Sequence, residues 1–439
     1  MVLRVAGWFM SVVAGSMAGM ADPSEFMTAF AQFISSSPTS YHAAETMSAL
    51  LNRAGFEPMD EKKAWPDVSG RRYFVRGGAV VAWTTPHKPL PSAGFRIVGV
   101  HTDSPALKLK PEPVYNNAGW QQLNMEVYGG PLINSWLDRE LGLAGRITTR
   151  AGVDHLVRTG PIMRVSQLAP HLDRSVNQAL TIDQQYELMP SYGLGGEPDV
   201  IELLCGQAGI LPSEFGFADV YAYPTQEPAL FGNQNEFFAS SRLDNLSSVF
   251  PGLLALMRVK DPDDVVVFAA FDHEEVGSGT TSGAAGPLLS DALIRIAGGL
   301  GLSGDAYQAM LARSSCVSAD AAHSVNPNHL AKYDPQVRPL MNQGPALKVN
   351  AKQRYATDSR TASLWLRACD AAGVANQTFV SNNDVPCGTT IGPITATRLG
   401  MPTVDVGVPI LSMHSTREMC GSEDPQLLSR ALEAYWMGA

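Results

Sequence analysis

Hydrophobic and polar residues follow two different periods along the chain. Near the N-terminus, "PSEFMTAFAQFIS" (23–35) and "YHAAETMSALLNRAGF" (41–56) repeat their apolar residues every three to four positions, which predicts two amphipathic helices. Gly55 is suited to end the second helix. The segment "RYFVRGGAVVAW" (72–83) predicts a β-hairpin, in which Gly77 and Gly78 supply the positive φ angles of a tight turn.

The residue composition and the hydrophobic pattern change twice along the chain. Residues 107–236 are rich in proline, glycine and short β-like runs, which predicts an inserted β-rich domain. Beyond it, strand-like segments such as "DVVVFAAF" (264–271) alternate with helical segments up to "PQLLSRALEAYWMG" (425–438). This alternation predicts an α/β fold with a mostly parallel sheet sandwiched by helices, made of residues 22–106 and 237–439.

Composition narrows the classes of function. The chain has 439 residues, 45% of them hydrophobic, and a formal net charge of −10 without a long basic run. Such a chain would repel nucleic acid and anionic membranes, and an acidic substrate would need a local cation. The five cysteines are scattered and lack C-x-x-C spacing, which favours reduced thiols and a cytoplasmic protein.

The first 21 residues complicate this interpretation. The segment "MVLRVAGWFMSVVAGSMAGMA" carries an early arginine, an apolar stretch and small residues, and so resembles a weak secretory signal. The alternative is an upstream start codon, since Met20 and Met27 are both available. We interpret residues 1–21 as a disordered or artefactual extension.

Charged side chains follow several of the predicted strands. In an open parallel sheet, ligands bind beyond the carboxyl ends of the strands. Five stretches place carboxylates or imidazoles there or before a helix: His101 and Asp103; Asp244; Asp272 to Glu275; Asp320 and His323; and His414. Each has an ordinary explanation by itself, such as a helix cap or a solvated turn. All five together predict one shared site.

This set of residue types indicates two metal ions. Two histidines and three carboxylates, one of them bridging, give each of two divalent ions three protein ligands and leave space for water. A two-metal hydrolase also needs a general base that binds no metal, and one of the adjacent Glu274 and Glu275 can take that role. Asp103 can orient the His101 imidazole. An H-E-x-x-H zinc helix is excluded because Gly277 stands where its second histidine would be.

The motifs around these residues resemble a known family. They are "GVHTDSPALKLKP", "SSRLDNLSSVF", "FDHEEVGSGT", "SADAAHSVNPNH", "LKVNAKQRYATDS" and "LSMHSTREMC". In order and spacing, from about "SSPTSYHA" to the C-terminus, the chain resembles the aspartyl aminopeptidases, which belong to the two-zinc exopeptidases.

The resemblance implies a role for each site residue. One zinc would be held by His101, Asp244 and Asp320, and the other by Asp244, Glu275 and His414. Glu274 would be the general base, and the Asp244–Asn245 peptide bond would be cis. Manganese or cobalt could occupy such oxygen-rich sites, because the type of ligand only weakly favours one divalent metal over another.

The resemblance also implies a substrate. Family members remove an N-terminal aspartate or glutamate, with Lys348 as the cation, Tyr355 as a hydrogen-bond donor and His323 lining the pocket. Judged from the residues alone, Lys348 would belong to a solvated basic face. The alternatives are an aminopeptidase for neutral residues, a related zinc deacylase or carboxypeptidase, and a non-catalytic scaffold.

The resemblance also implies how the chain assembles. The family forms homo-oligomers, commonly a dodecamer built from dimers, and His171 in "PHLDRSVN" would reach the active site of a neighbouring subunit. Without the resemblance, His171 is an exposed histidine near a helix start. Relatives often carry arginine in place of Asn382, so the role of Asn382 is left open.

Overall fold

The computed structural model describes residues 22–87, 92–195 and 199–439, so the predicted extension of residues 1–21 lies outside the described residues. The helices are α1 (Pro23–Ser36), α2 (Ser40–Arg53), α3 (Val200–Ala208), α4 (Leu243–Arg258), α5 (Leu288–Gly299), α6 (Asp305–Ala312), α7 (Ser359–Ala372), α8 (Ile391–Leu399) and α9 (Asp424–Trp436).

In the part of the chain that the structure describes, twenty strands form three sheets. The first ten strands are β1 (Glu57–Pro58), β2 (Arg71–Arg76), β3 (Ala79–Thr84), β4 (Phe95–His101), β5 (Ala106–Asn117), β6 (Trp120–Tyr128), β7 (Leu141–Thr149), β8 (Asp154–Arg158), β9 (Ser191–Leu194) and β10 (Phe215–Pro224). The others are β11 (Ala229–Phe231), β12 (Phe237–Ser240), β13 (Val265–Phe271), β14 (Ser315–Ala319), β15 (Ala322–His323), β16 (Ala346–Val349), β17 (Gln377–Val380), β18 (Thr403–Gly407), β19 (Pro409–Leu411) and β20 (Glu418–Gly421).

The largest sheet has nine strands in the order β1-β2-β3-β13-β4-β14-β18-β16-β17. Its centre is parallel, because β4 pairs in parallel with β13 and β14, and β14 with β18. Strands β3 and β16 join this centre in the antiparallel sense. Both faces are buried: Leu253 and Trp365 belong to the core on one side, and Leu293 and Met310 to the core on the other. The predicted α/β fold is confirmed.

A six-stranded antiparallel sheet forms a separate unit, in the order β8-β7-β10-β5-β6-β9. Its strands lie between Ala106 and Pro224 and enclose their own core, to which Leu143, Val220 and Leu204 belong. This is the β-rich insertion that the sequence predicts. The limits 107 and 236 stay a prediction, since β11 already pairs with β12 outside this sheet.

A third sheet, of five short strands in the order β11-β12-β20-β19-β15, was not anticipated from the sequence. Four of its strands adjoin predicted site residues. Strand β12 leads to Asp244, the β19–β20 connection contains His414, and β15 follows Asp320. This small sheet therefore gathers three distant parts of the chain beside the large sheet.

The hairpin between β2 and β3 differs from expectation at one glycine. Gly77 has φ +61° as predicted, but Gly78 does not have a positive φ, so the expectation was wrong there. Gly78 instead fills a tight space, where a Cβ atom would overlap the carboxylate of Asp272 and the hydroxyl of Ser40.

Among the described residues, no helix has the length and apolar character needed to cross a membrane.

Candidate metal centre

Three neighbouring strands of the large sheet deliver side chains to one edge. Strand β4 ends at His101, β13 is followed by Glu274 and Glu275 in a short 3₁₀ turn, and Asp320 follows β14 directly. Because β13, β4 and β14 are adjacent and parallel, their carboxyl ends converge.

Asp244 enters the same region from the start of α4. It is buried, and its peptide bond to Asn245 is cis, as the family resemblance implied. The Ser104 hydroxyl donates to the Asp244 carbonyl at 2.7 Å, and the Asn245 side-chain amide donates to the Ala319 carbonyl at 2.9 Å. The loop after β4 and the end of β14 thus hold the start of α4 in place.

The structure brings all five predicted metal ligands together. His101 Nε2 lies 3.3 Å from Asp244 Oδ1 and 3.5 Å from Asp320 Oδ1. His414 Nε2 lies 3.4 Å from Asp244 Oδ2 and 3.5 Å from Glu275 Oε2. The two oxygens of Asp244 therefore face different imidazoles, with one further carboxylate beside each.

These separations fit a pair of bound cations. Two ligand atoms that each lie 2.0–2.2 Å from one tetrahedral zinc are about 3.3–3.6 Å apart, and all four separations fall in that range. Asp244 Oδ1 and Glu275 Oε1 are buried and accept no hydrogen bond from the described residues. Buried carboxylate oxygens without partners are costly, and metal coordination would satisfy them.

The electrostatics of the cluster favour positive charge. Burial alone would lower the pKa of His414, but Asp244 and Glu275 reverse this and raise it to about 10. Burial opposes protonation of His101 too, and the neighbouring aspartates raise its pKa well above the usual value. Burial, followed by the charge of Asp244, raises the pKa of Glu275. The site is thus a concentration of negative charge that attracts cations.

Asp103 connects the ligands to the adjacent glutamates. Its backbone carbonyl forms a hydrogen bond with His101 Nδ1 at 3.1 Å, and its Oδ1 lies 3.4 Å from the same nitrogen and accepts the backbone N–H of Glu274 at 3.0 Å. Its Oδ2 accepts the backbone N–H of Glu275 at 3.1 Å and the hydroxyl of Tyr128 at 2.8 Å. Asp103 therefore fixes both the imidazole and the turn that carries the two glutamates.

Glu274 has the acidity of a proton carrier. Burial raises its pKa to about 7, with Asp320, Asp244 and Asp103 adding to the effect and His101 opposing it. A carboxyl group with a pKa near neutrality can both accept and return a proton at physiological pH.

Lys348 lies next to the cluster and is buried, unlike the exposed Lys352. Its Nζ is 3.6 Å from Asp320 Oδ2, donates to the Ala321 carbonyl at 2.9 Å and stands 4.8 Å from the centre of the Tyr355 ring. The solvated basic face considered for Lys348 is therefore not what the structure shows.

Tyr355 and His323 both lie near the ring of Phe379. The Tyr355 and His323 rings are centred 6.3 Å and 5.7 Å from that of Phe379. The three residues assigned to the substrate pocket by resemblance, Lys348, Tyr355 and His323, thus occur in one neighbourhood.

Two residues lie elsewhere. His171 is exposed in a turn of the insertion. Asn382 donates to the carbonyls of Ala331 and Tyr333 at 3.1 Å and 3.2 Å, so it ties two loops together.

Three further residues, not identified from the sequence, form hydrogen bonds with the candidate ligands or with Asp103. The Gly130 carbonyl accepts from His414 Nδ1 at 2.8 Å, and Tyr128 donates to Asp103 as described. Glu418 accepts the backbone N–H groups of both Asp244 and His414. Glu418 lies four residues after His414, so its closeness in the chain could have suggested a supporting role. No local sequence pattern indicates that Tyr128 and Gly130 of the insertion lie beside the candidate metal centre.

Comparison with known proteins shows the family of this chain. The family described as Aminopeptidase I zinc metalloprotease (M18) matches residues 33–436. A protein of Streptomyces coelicolor named "Probable M18 family aminopeptidase 2" is 47% identical over 412 residues, which cover 92% of this chain and 95% of that protein.

Solved structures show the same fold. The cryo-EM structure of the Ape4 and Nbr1 complex contains a chain with a TM-score of 0.91 and 33% identity, covering 94% of this chain and 86% of that one. The S. cerevisiae mApe1 dodecamer matches with a TM-score of 0.83 and 26% identity, covering 94% and 96%. The chain therefore belongs to the M18 family of zinc metalloproteases and is an aminopeptidase, as its motifs indicate.

Proposed function

We propose that this aminopeptidase removes an N-terminal aspartate or glutamate from peptides with two zinc ions per chain. The observation that carries the substrate assignment is the buried ammonium of Lys348 beside the ligand Asp320. Lys348 has three N–H donors, and among the described residues one of them makes a hydrogen bond, to the Ala321 carbonyl at 2.9 Å. An acidic side chain of the substrate would be a suitable acceptor for the others.

The ligand set divides between two ions in this proposal. His101, Asp244 and Asp320 would hold one zinc, and Asp244, Glu275 and His414 the other. When bound, the ions polarise the scissile carbonyl and make a coordinated water acidic. Manganese or cobalt would also suit these ligands.

The residues of the chain would then carry the proton and the substrate. Glu274 takes a proton from the attacking water and returns it to the leaving amine, for which its pKa near 7 is suited. Asp103 keeps Glu274 in place through the backbone N–H. Lys348 and Tyr355 bind the acidic side chain, and His323 lines its pocket.

A substrate panel tests this assignment. The purified zinc-loaded protein is assayed with aspartyl, glutamyl, leucyl and N-acyl-aspartyl substrates, and Lys348→Met is compared with Lys352→Met, which changes an exposed lysine nearby. We expect Lys348→Met to lower kcat/KM for the acidic substrates about 10–100-fold, since hydrogen bonds to charged groups contribute about 1.5–3 kcal/mol. Leucyl hydrolysis should change little, and Lys352→Met should resemble the wild type.

The alternative is an aminopeptidase for neutral residues. A wild-type protein that hydrolyses the leucyl substrate faster than the aspartyl one would support it and contradict our assignment.

We also infer a homo-oligomer, a dodecamer built from dimers, because the S. cerevisiae neighbour is a dodecamer. Exposed apolar residues of the insertion support association: Leu172 is 76%, Leu194 72% and Tyr186 66% exposed. His171 adjoins Leu172 in the chain and would reach a neighbouring active site. Mass photometry should show twelve chains. His171→Ala should lower activity without changing that mass, and Leu172→Glu should lower both.

The location of the protein is a separate inference. The five cysteines are all free thiols, four of them buried, as expected for a cytoplasmic protein. Fractionation of cells expressing the tagged chain from its own start would test this, and recovery outside the cytoplasm would contradict it.

A further inference from the structure

Glu418 lies between two stretches that carry proposed metal ligands. It is the first residue of β20, directly after the turn that contains His414. In the five-stranded sheet it pairs with Ser240 of β12, four residues before Asp244. Glu418 therefore stands where the Asp244 and His414 segments pass each other.

Its carboxylate joins these segments. Oε1 accepts the backbone N–H of His414 at 2.7 Å, and Oε2 accepts the backbone N–H of Asp244 at 3.1 Å. The side chain is 1% exposed, so water does not compete for either hydrogen bond. A single rigid group thus sets the distance between the two backbones.

The His414 backbone requires such support. His414 has φ +67°, in the left-handed region that residues other than glycine rarely adopt. Such conformations persist where the surrounding structure over-determines them. The hydrogen bond from the His414 N–H to Glu418 and the one between His414 Nδ1 and the Gly130 carbonyl provide two fixed points.

We propose that Glu418 is a positioning residue of the metal centre, an inference that rests on the ligand roles of Asp244 and His414 in the proposed function. It orients both ligands through their amides and so raises the affinity for the ion they share. The same arrangement explains how His414 Nε2 comes to lie 3.4 Å from Asp244 Oδ2.

Asp424 provides a matched control. It is also fully buried, and its two oxygens accept the backbone N–H groups of Asn342 at 2.7 Å and Gly344 at 3.0 Å. Neither of those residues is a proposed ligand. Loss of either carboxylate disturbs two buried amides, but only loss of Glu418 should disturb metal binding.

The experiment compares Glu418→Gln, Asp424→Asn and the wild type. Glutamine keeps one acceptor oxygen and replaces the other with an amino group, which cannot accept the second N–H. Zinc affinity is measured by chelator competition, and the visible absorption of the cobalt(II)-loaded protein reports ligand geometry. We expect Glu418→Gln to weaken zinc binding about 10–100-fold, alter the cobalt spectrum and lower kcat more than it changes KM. Asp424→Asn should lower the melting temperature and leave affinity and spectrum unchanged.

Wild-type affinity and spectrum in a folded Glu418→Gln protein would overturn the proposal. Glu418→Asp, which keeps the charge but is too short to reach both amides, replaces the glutamine variant if that one does not fold, with the same expected results. Asp244→Asn distinguishes a failure of the proposed ligand set from a failure of the role of Glu418. Unchanged zinc binding in Asp244→Asn would refute the ligand set. Loss of zinc binding in Asp244→Asn, with normal zinc binding in Glu418→Gln, would refute only the role of Glu418.

Discussion

Replacement of Glu274 by glutamine tests the proton-transfer role most directly. The change removes the negative charge and keeps the size of the side chain. The turn should survive, because Glu274 and Glu275 are anchored to Asp103 through backbone N–H groups at 3.0 Å and 3.1 Å, which a side-chain substitution leaves in place. The metal ligands should therefore stay where they are.

The expected loss of rate follows from the acidity of the group. Burial raises the pKa of Glu274 to about 7 in the metal-free chain. Two bound cations would lower that pKa, so in the zinc-loaded wild type Glu274 is a free base at neutral pH, whereas glutamine cannot accept a proton. Loss of a general base typically lowers kcat about 10²–10⁴-fold, which is about 2.7–5.4 kcal/mol in the activation barrier. The wild-type rate should fall as the pH drops and the base becomes protonated, and the residual activity of the variant should lack this acid limb.

The assay measures kcat, KM and zinc content together on an aspartyl substrate from pH 5.5 to 8.5. Glu275→Gln is the matched comparison, because Glu275 Oε2 lies 3.5 Å from His414 Nε2 and the residue is a proposed ligand. That variant should lose zinc, whereas Glu274→Gln should retain it. A Glu274→Gln protein with full zinc content and kcat within about tenfold of the wild type would refute the base role.

Three further outcomes are expected. Tyr128→Phe removes a 2.8 Å hydrogen bond to Asp103 and should lower kcat several-fold. The ring of Tyr221 packs against that of Tyr128, and Tyr221→Phe should have little effect. Equal kcat values for the two variants would contradict this prediction. Zinc binding at pH 7.5 should release about one proton per chain or more, since neighbouring carboxylates raise the pKa of His414 to about 10. Calorimetry in buffers of different ionisation enthalpy measures the number of protons released. Zinc binding without proton release would contradict this prediction. Burial, followed by the charges of two arginines, lowers the pKa of His42 to about 3, so the folded chain keeps His42 neutral while the unfolded chain binds a proton below about pH 6.5. Stability should therefore fall by about 2 kcal/mol between pH 6.5 and 5 through this residue, and thermal melts of His42→Gln should lack that part of the decrease.

Much of the fold could be predicted because its elements are locally encoded. The periodic apolar residues of α1 and α2 and the continuous apolar run of β13 identify these elements without tertiary information. "SCVSA" coincides with β14, Ser315–Ala319. The candidate ligands His101 and Asp320 follow from the same logic, because adjacent parallel strands place their carboxyl ends at one edge.

The insertion shows where local patterns stop being informative. Its β-rich character is evident from composition, but the hydrogen bonds that Tyr128 and Gly130 make to Asp103 and His414 join residues far apart in the chain. Nothing in the sequence near Tyr128 distinguishes it from any other tyrosine in a strand. The burial of Lys348 is similar, since its charge alone suits an exposed face equally well.

The sequence by itself determined most of the helices and the central strands of the large sheet, the family and the chemical identity of the candidate ligands, because periodicity and motifs are properties of neighbouring residues. Only the tertiary structure decided which atoms face each other: that the two oxygens of Asp244 divide between His101 and His414, and that Glu418 holds two of these ligands by their backbones. The physical reason is that these contacts join residues up to 174 positions apart, and the hydrogen bonds that fix them depend on distance and direction rather than on any repeating pattern along the chain.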